Sequence, residues 1–329
     1  MTCALAAAVL VAGLWGGLAL YFGGAHGASP HPLVSALFAV LALTVLVGLS
    51  ARQWRWHLLG GFAVAFLAVL VWWLWLTPSN QRDWVPGVAV LPFATVAKSS
   101  VTVHNIRNFH YRSETDFTRA YYDKSFDLAQ LQGADLIAVY WMGPAIAHIF
   151  ISFDFGDNNH LAVSVETRPT KGDTYSTIKG LFRQYELYYV VADERDVIQL
   201  RTNFRHSPDE QVYVYRVKAT RDDTRRLFLE YLKQINALEA VPQFYNTLGS
   251  NCTTVIWRNT RVTSNQLPFS WKLLASGYVP EALYDSGRLD TTLPFAELQR
   301  RAHINQRALA AGQASDFSAQ IRAPAGAGQ

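Results

Sequence analysis

The sequence predicts an α+β domain with a largely antiparallel sheet, carried behind three transmembrane helices. Three observations predict it: charge is nearly absent from the first quarter of the chain, that quarter is filled by three long apolar runs, and the remainder alternates apolar and polar residues around one amphipathic helix. Of 329 residues, 16% are charged and half are hydrophobic, whereas an average soluble domain is about a quarter charged. Residues 1–76 hold Arg52, Arg55 and no acid, so the remaining residues carry 27 Lys+Arg against 25 Asp+Glu, a net of +2. This pattern excludes a uniformly soluble protein, a disordered chain and a disulfide-stapled scaffold. It leaves a membrane-embedded first part (1–76), an exit linker (77–100), a globular domain (101–311) and an Ala/Gly/Ser/Gln-rich tail (312–329) expected to be disordered. No nucleic-acid partner is expected.

The apolar runs are Ala4–Phe22, Leu33–Ser50 and Leu58–Leu76, each 18 or 19 residues and uncharged. At about 1.5 Å per residue each reaches roughly 28 Å, close to the hydrocarbon thickness of a bilayer. Buried core helices would share the composition, but three such runs in succession are rare in soluble folds. A cleaved signal peptide is not expected, because no basic segment precedes the first run and two more runs follow. Cys3 lies too close to the start to be a lipoprotein cleavage site. The loop Ala51–His57 carries Arg52 and Arg55, while the loop Gly23–Pro32 has no Lys or Arg. Short basic loops stay cytoplasmic, so the N-terminus is expected in the cytoplasm and the large domain in the periplasm. Trp54 and Trp56 at one end of the third run, and Trp72, Trp73, Trp75 and Trp84 near the other, fit an interfacial belt.

Beyond the linker, Val101–Tyr111, Asp135–Met142, Ala145–Phe155, His160–Arg168, Tyr185–Val191 and Gln211–Val217 read as strands. Ala145–Phe155 and His160–Arg168, joined by Gly156-Asp157-Asn158-Asn159, read as a hairpin. Leu227, Phe228, Tyr231, Leu232, Ile235 and Leu238 fall at helical spacing within Asp222–Ala240. Thr253–Asn259 and Glu297–Ala310 read as further helices.

The stretch Phe244–Thr254 carries the most chemical information. Gly249-Ser250-Asn251 is turn and N-cap chemistry, and Thr253-Thr254-Val255-Ile256-Trp257 opens an apolar helix. Cys252 then stands in the first helical turn, where the helix dipole and free N–H groups favour a thiolate and can line an oxyanion hole. The other reading of Cys252 is a small buried core residue. A thiolate nucleophile needs a base and a group that orients it. His148 lies mid-strand, and the hairpin sets it against the strand of Glu166, whose carboxylate could fix the tautomer and stabilise the imidazolium. A satisfied core histidine is the competing reading. Tyr245 could donate to a developing oxyanion or pack as a core aromatic, and Asn251 supports the helix tip. Arg168 and Arg183 are weak candidates for a phosphate, since charged runs such as Glu166–Arg168 are usually solvated. His160 reads as a solvated turn-edge residue. His104 and His110 would share a strand face, but no third ligand is spaced to complete a metal site; no metal or cofactor is expected. Cys3 and Cys252 cannot plausibly pair.

His148 on a strand, an acid on the next strand and a later Asn-Cys opening a helix resemble the circularly permuted papain-like (NlpC-type) fold, in which the base precedes the cysteine. The segments VHNIRNFHYRSETDF, GPAIAHIFISF, VSVETR, FRQYELYYVVADERD and FYNTLGSNCTT are similar to a bacterial family of membrane-anchored proteins with such a periplasmic domain, which includes the lipoprotein N-acyltransferase Lnb. The similarity covers roughly Val101 to Asn259. It implies Cys252, His148 and Glu166 as nucleophile, base and orienting acid, a phospholipid or diacylglyceryl-lipoprotein as acyl donor, and a lipoprotein N-terminal amine as acceptor. A hydrolase with the same site (a cell-wall peptide amidase or a lipid deacylase) and a non-catalytic envelope binding protein are the alternatives.

Overall fold

A computed structural model describes residues 2–23, 31–264 and 266–324. Most of the loop between the first two apolar runs, and the end of the tail, lie outside the described residues. The chain divides into two compact units, one of Met1–Val85, Thr167–Glu186 and Gln243–Thr247, the other of Pro86–Glu166, Leu187–Pro242 and Leu248–Gln329.

The first unit holds α1 (Thr2–Phe22), α2 (Pro32–Gly48) and α3 (Arg55–Trp75). α1 and α2 approach closely through small residues: a Cβ on Gly13 would lie 2.7 Å from the Ala42 Cβ, and one on Gly16 would lie 2.5 Å from the Phe38 ring. Small residues at such crossings let helices pack without help from water. Val9, Ala19, Phe38, Ala42, Val45, Phe62 and Val69 form the buried cluster, and Phe182 joins it from the later segment. α1 and α3, at 21 residues each, are long and apolar enough to cross a membrane. α2 is not the third full-length span that the hydropathy pattern predicts: it is a 17-residue apolar helix. It stops early because the chain turns at Gly48, where the Ala51 N–H donates to the Gly48 carbonyl and Ser50 Oγ donates to the Val47 carbonyl.

The second unit is α+β. Its elements are β1 (Phe93–Val96), β2 (Ser100–Arg107), β3 (His110–Tyr111), β4 (Phe117–Thr118), β5 (Tyr121–Asp127), β6 (Gly133–Tyr140), β7 (Ala147–Asp154), β8 (His160–Arg168), β9 (Glu186–Asp193), α4 (Glu194–Gln199), β10 (Gln211–Arg216), α5 (Arg221–Ala240), α6 (Cys252–Asn259), α7 (Val279–Asp285), α8 (Phe295–Ala302), α9 (Asn305–Ala311) and α10 (Phe317–Arg322). The sheet order is β1-β2-β9-β8-β7-β6-β10, with β5 also on β2. β6–β7, β7–β8 and β10–β6 are antiparallel. The β2–β9 pair is parallel at Arg107↔Ala192, so the sheet is mixed rather than wholly antiparallel. β6 is buried along all but its last residue, as expected of a strand with neighbours on both sides. The apolar stripe of α5 lies in the core: Phe228, Tyr231, Leu232, Ile235 and Leu238 are buried, and Phe153 meets the Phe228 ring edge-on at 4.9 Å.

Three expectations fail here. The linker 77–100 contains β1, which pairs with β2 from Phe93↔His104 to Val96↔Val101. The stretch 101–111 breaks after Arg107 into β2 and β3, with Asn105 at φ 61°, so His104 and His110 share no strand face. The tail is folded through residue 324: α10 buries Phe317 and Ile321, and Arg322 binds Asp135 and Glu194, each at 2.6 Å. Composition hides this, because two apolar residues and one arginine suffice to dock a six-residue helix in an Ala/Gly-rich segment.

Candidate active site

Strand pairing brings His148 and Glu166 together. β7 and β8 pair from Asp154↔His160 to Ile151↔Val163; continued three residues, the register sets His148 opposite Glu166. His148 Nε2 lies 3.0 Å from Glu166 Oε1. Ser164, two residues before Glu166 and on the same face, stands between them. Its hydroxyl is 2.7 Å from His148 Nε2 and donates to Glu166 Oε1 at 2.8 Å. Arg201, in a π-type turn at Leu200–Phe204, donates from Nη2 to the same carboxylate oxygen at 3.1 Å.

Cys252 arrives from the other side on α6. Asn251 is the N-cap: its Oδ1 accepts from the Thr254 N–H at 2.8 Å, and Thr254 Oγ1 accepts from the Asn251 N–H at 3.0 Å. This capping box places Cys252 at the first helical position. The thiol hydrogen-bonds with His148 and accepts from the Ile149 backbone N–H. With Nε2 occupied by Ser164 and Glu166, Nδ1 is the ring nitrogen left to face the sulfur.

The electrostatics follow. Burial pushes the Cys252 thiol up, but the His148 hydrogen bond and charge and the Ile149 N–H outweigh it, and the thiol is held below its ordinary value. Burial pulls His148 down, but the Glu166 charge and the hydrogen bonds to Cys252 and Glu166 raise it to about 9. Burial alone would raise Glu166; His148 and Arg201 instead hold it well below the carboxylate range. The arrangement favours a thiolate–imidazolium pair backed by an ionised carboxylate. Beyond Glu166 the charges alternate through Arg201, Glu210, Arg205 and Glu114. Ser164 and Arg201 were not anticipated. Ser164 was legible, because it shares the face of Glu166 on an alternating strand; Arg201 arrives from a turn with no strand or helix periodicity.

The other candidates serve different ends. Asn251 spends its side chain on the cap. Tyr245 belongs to the first unit, where its N–H donates to the Tyr185 carbonyl at 2.9 Å. Arg168 is 2% exposed; it donates to Asn80 Oδ1 at 3.1 Å and lies 4.2 Å over the Trp84 ring, so no headgroup reaches it. Arg183 caps α3, donating to the carbonyls of Trp73, Leu74 and Leu76 at 3.0, 3.2 and 3.3 Å. His160 is half-buried rather than solvated; its Nε2 lies 3.6 Å from Asp154 Oδ1, and neither ring nitrogen has a hydrogen-bond partner among the described residues; Phe317 and Ser318 of α10 line the same cavity as its ring. Asp135, His160 and Glu194 converge closely enough to hold a metal ion. The Arg322 guanidinium already supplies the positive charge there, with Nη2 at 2.6 Å from both Asp135 Oδ2 and Glu194 Oε1. An open cavity of about 350 Å³ lined by Tyr140, Trp141, Asp209, Tyr213 and Gln299 includes neither Cys252 nor His148.

A protein anchored by apolar helices, with a mixed-sheet α+β domain that gathers a cysteine, a histidine and a glutamate, is the class defined by this fold and site. Residues 117–277, which include Cys252, His148 and Glu166, match the family model described as the Lnb N-terminal periplasmic domain. Over that region the chain is similar to this membrane-anchored, Lnb-like family. Comparison with curated proteins and with solved structures finds no match.

Proposed function

We propose that the chain is a cysteine-dependent acyltransferase acting on lipoproteins at the periplasmic face of the inner membrane, on a permuted papain-like domain. The observation that carries this reading is the continuous Cys252–His148–Ser164/Glu166 network at a capped helix start.

Cys252 Sγ attacks the carbonyl carbon of an acyl ester on a phospholipid or diacylglyceryl-lipoprotein, as His148 holds the thiol proton. N–H groups at the start of α6 stabilise the oxyanion. The intermediate collapses by breaking the ester C–O bond, His148 protonates the leaving alcohol, and the acyl group remains as a thioester. A lipoprotein's N-terminal amine then attacks the thioester, His148 takes the amine proton, and the C–S bond breaks to release the amide and the thiol. Glu166 keeps the imidazole oriented throughout and stabilises its charged form whenever it holds the proton. Capture of the thioester by water instead of an amine would make the same site a hydrolase.

The basic loop Ala51–His57 supports a cytoplasmic α2–α3 connection, from which α3 leads outward to the domain. A cytoplasmic N-terminus requires that the 17-residue α2 also cross. The test of the reaction is mass spectrometry of the intact protein after incubation with phospholipid. An acyl-sized adduct is expected on Cys252 and is absent from Cys252→Ala. His148→Ala abolishes transfer while leaving the protein folded. Wild-type turnover by Cys252→Ala would remove the mechanism, and an amide product formed only with added lipoprotein separates transferase from hydrolase.

A further inference from the structure

The second unit exposes a group of large apolar side chains beside the candidate site. Met142 and Ile146 come from the β6–β7 connection; Phe269, Trp271 and Leu274 come from the segment after α6. Phe269, Trp271 and Leu274 are 60%, 61% and 61% exposed, and Met142 is 62% exposed. The two segments touch: the Gly277 N–H donates to the Ala145 carbonyl at 3.1 Å, and a Cβ on Gly277 would lie 2.0 Å from the Pro144 carbonyl oxygen. Both also reach the site. Ile146 lies just before β7, two residues ahead of His148, and the Phe269 ring lies 5.4 Å from Trp257 on the helix that Cys252 opens.

From Val241 to Pro280 there is no acid, while Arg258, Arg261 and Lys272 are basic. Lys272 is paired with Glu281 and Asp285. Arg258 and Arg261 are exposed and make no ion pair among the described residues, and the Arg261 guanidinium lies 4.7 Å from the Trp257 ring. Exposed aromatic and aliphatic groups flanked by unpaired arginines match a lipid surface, where rings sit at headgroup depth and cations meet anionic phosphates. The bilayer is within reach. α3 ends at Trp75 and the second unit begins at Pro86, so residues 76–85 tether it by at most about 35 Å.

We propose that Met142, Ile146, Phe269, Trp271 and Leu274, with Arg258 and Arg261, form an interfacial docking face that dips into the outer leaflet of the membrane holding α1 and α3. The face keeps the Cys252 site at headgroup level. It stands on exposure and charge, independently of the thioester reading.

The test measures depth, not turnover. The full chain carrying Cys3→Ser and Cys252→Ser receives a single nitroxide label at Trp271→Cys, or separately at Phe269→Cys, in nanodiscs containing phosphatidylglycerol. Lys233→Cys, whose native side chain is 74% exposed, is the aqueous reference. At 269 and 271, collision with a water-soluble nickel chelate is expected to fall several-fold below the reference while collision with oxygen rises. Adding Arg258→Glu and Arg261→Glu, or replacing phosphatidylglycerol with phosphatidylcholine, is expected to reduce this difference. Nickel access equal to the reference overturns the proposal. So does low access to both probes, which means that protein covers the face. Because these variants lack the thiol, a negative result here leaves the Cys252 reaction untouched, and a failed acyl-adduct experiment leaves the docking face untouched.

Discussion

His148 Nε2 lies 3.0 Å from Glu166 Oε1 and 2.7 Å from Ser164 Oγ, so one ring nitrogen is held by a carboxylate and a hydroxyl that are themselves 2.8 Å apart. The ring therefore cannot rotate without losing two partners, and it also hydrogen-bonds with Cys252. Each group in this chain tunes the next, and this makes the individual contributions separable by experiment.

The raised value of His148, about 9, sets an alkaline limit. Above it the imidazolium no longer protonates the leaving alcohol and the thiolate loses its counter-ion. Acyl transfer, followed as kcat/KM against pH, is expected to fall through a limb near 9. Stability follows the same sign. The His148 contribution is complete below the ordinary histidine value of about 6.5 and disappears as pH rises through about 9. Glu166 is lowered, so its contribution is present above the ordinary carboxylate value and disappears as pH falls through its own lower value. Tm against pH should show a plateau between these limits. A limb near 6.5 would mean that Glu166 does not govern His148.

Glu166→Gln keeps a hydrogen-bond acceptor but removes the charge. We expect kcat/KM to fall by about 10- to 100-fold, and the alkaline limb to move toward neutral pH. Alkylation of Cys252 by iodoacetamide should slow at pH 7, because the thiolate loses its charged partner. Unchanged activity would mean that another residue orients the ring.

Ser164→Ala should act more weakly in the same direction. The hydroxyl is fully buried and bridges two groups, so its loss removes one hydrogen bond to each, on the order of 1 kcal/mol or a few-fold in rate. The diagnostic is a downward shift of the alkaline limb smaller than that of Glu166→Gln. A purely structural role would lower Tm without moving the limb.

Arg201 pairs with both Glu166 and Glu210 and is 5% exposed. Arg201→Met leaves two carboxylates without their shared cation, and breaking such a buried pair costs about 3–5 kcal/mol. Thermal unfolding should register this as a drop in Tm larger than that of either Glu166→Gln or Glu210→Gln. An unchanged Tm would show that water replaces the guanidinium.

Arg322→Met should release α10. Its guanidinium bridges Asp135, 1% exposed, and Glu194, 1% exposed, whereas Arg216 reaches Asp135, at 3.2 Å, without pairing with Glu194. Hydrogen exchange in residues 317–322 should rise toward that of an unstructured segment, and the released helix should expose His160. Retained protection would mean that Phe317 and Ile321 dock the helix without the arginine.

The sequence by itself determined the elements that rest on short-range periodicity. The β7–β8 hairpin, the α5 stripe and the Asn251 cap with Cys252 behind it follow from alternation, helical spacing and turn residues, and each depends only on neighbours in the chain. The opposition of His148 and Glu166 was legible for the same reason, since a hairpin's register follows from its turn. Only the tertiary structure decided what depends on distant segments meeting. The parallel contact of Arg107 with Ala192, the approach of Arg201 to Glu166, the meeting of His160 and α10 around one cavity and the engagement of Arg183 with the end of α3 leave no periodic trace. In each case segments meet across many residues of intervening chain, and the desolvated charge or exposed carbonyl that Arg201 and Arg183 answer exists only once the fold has formed.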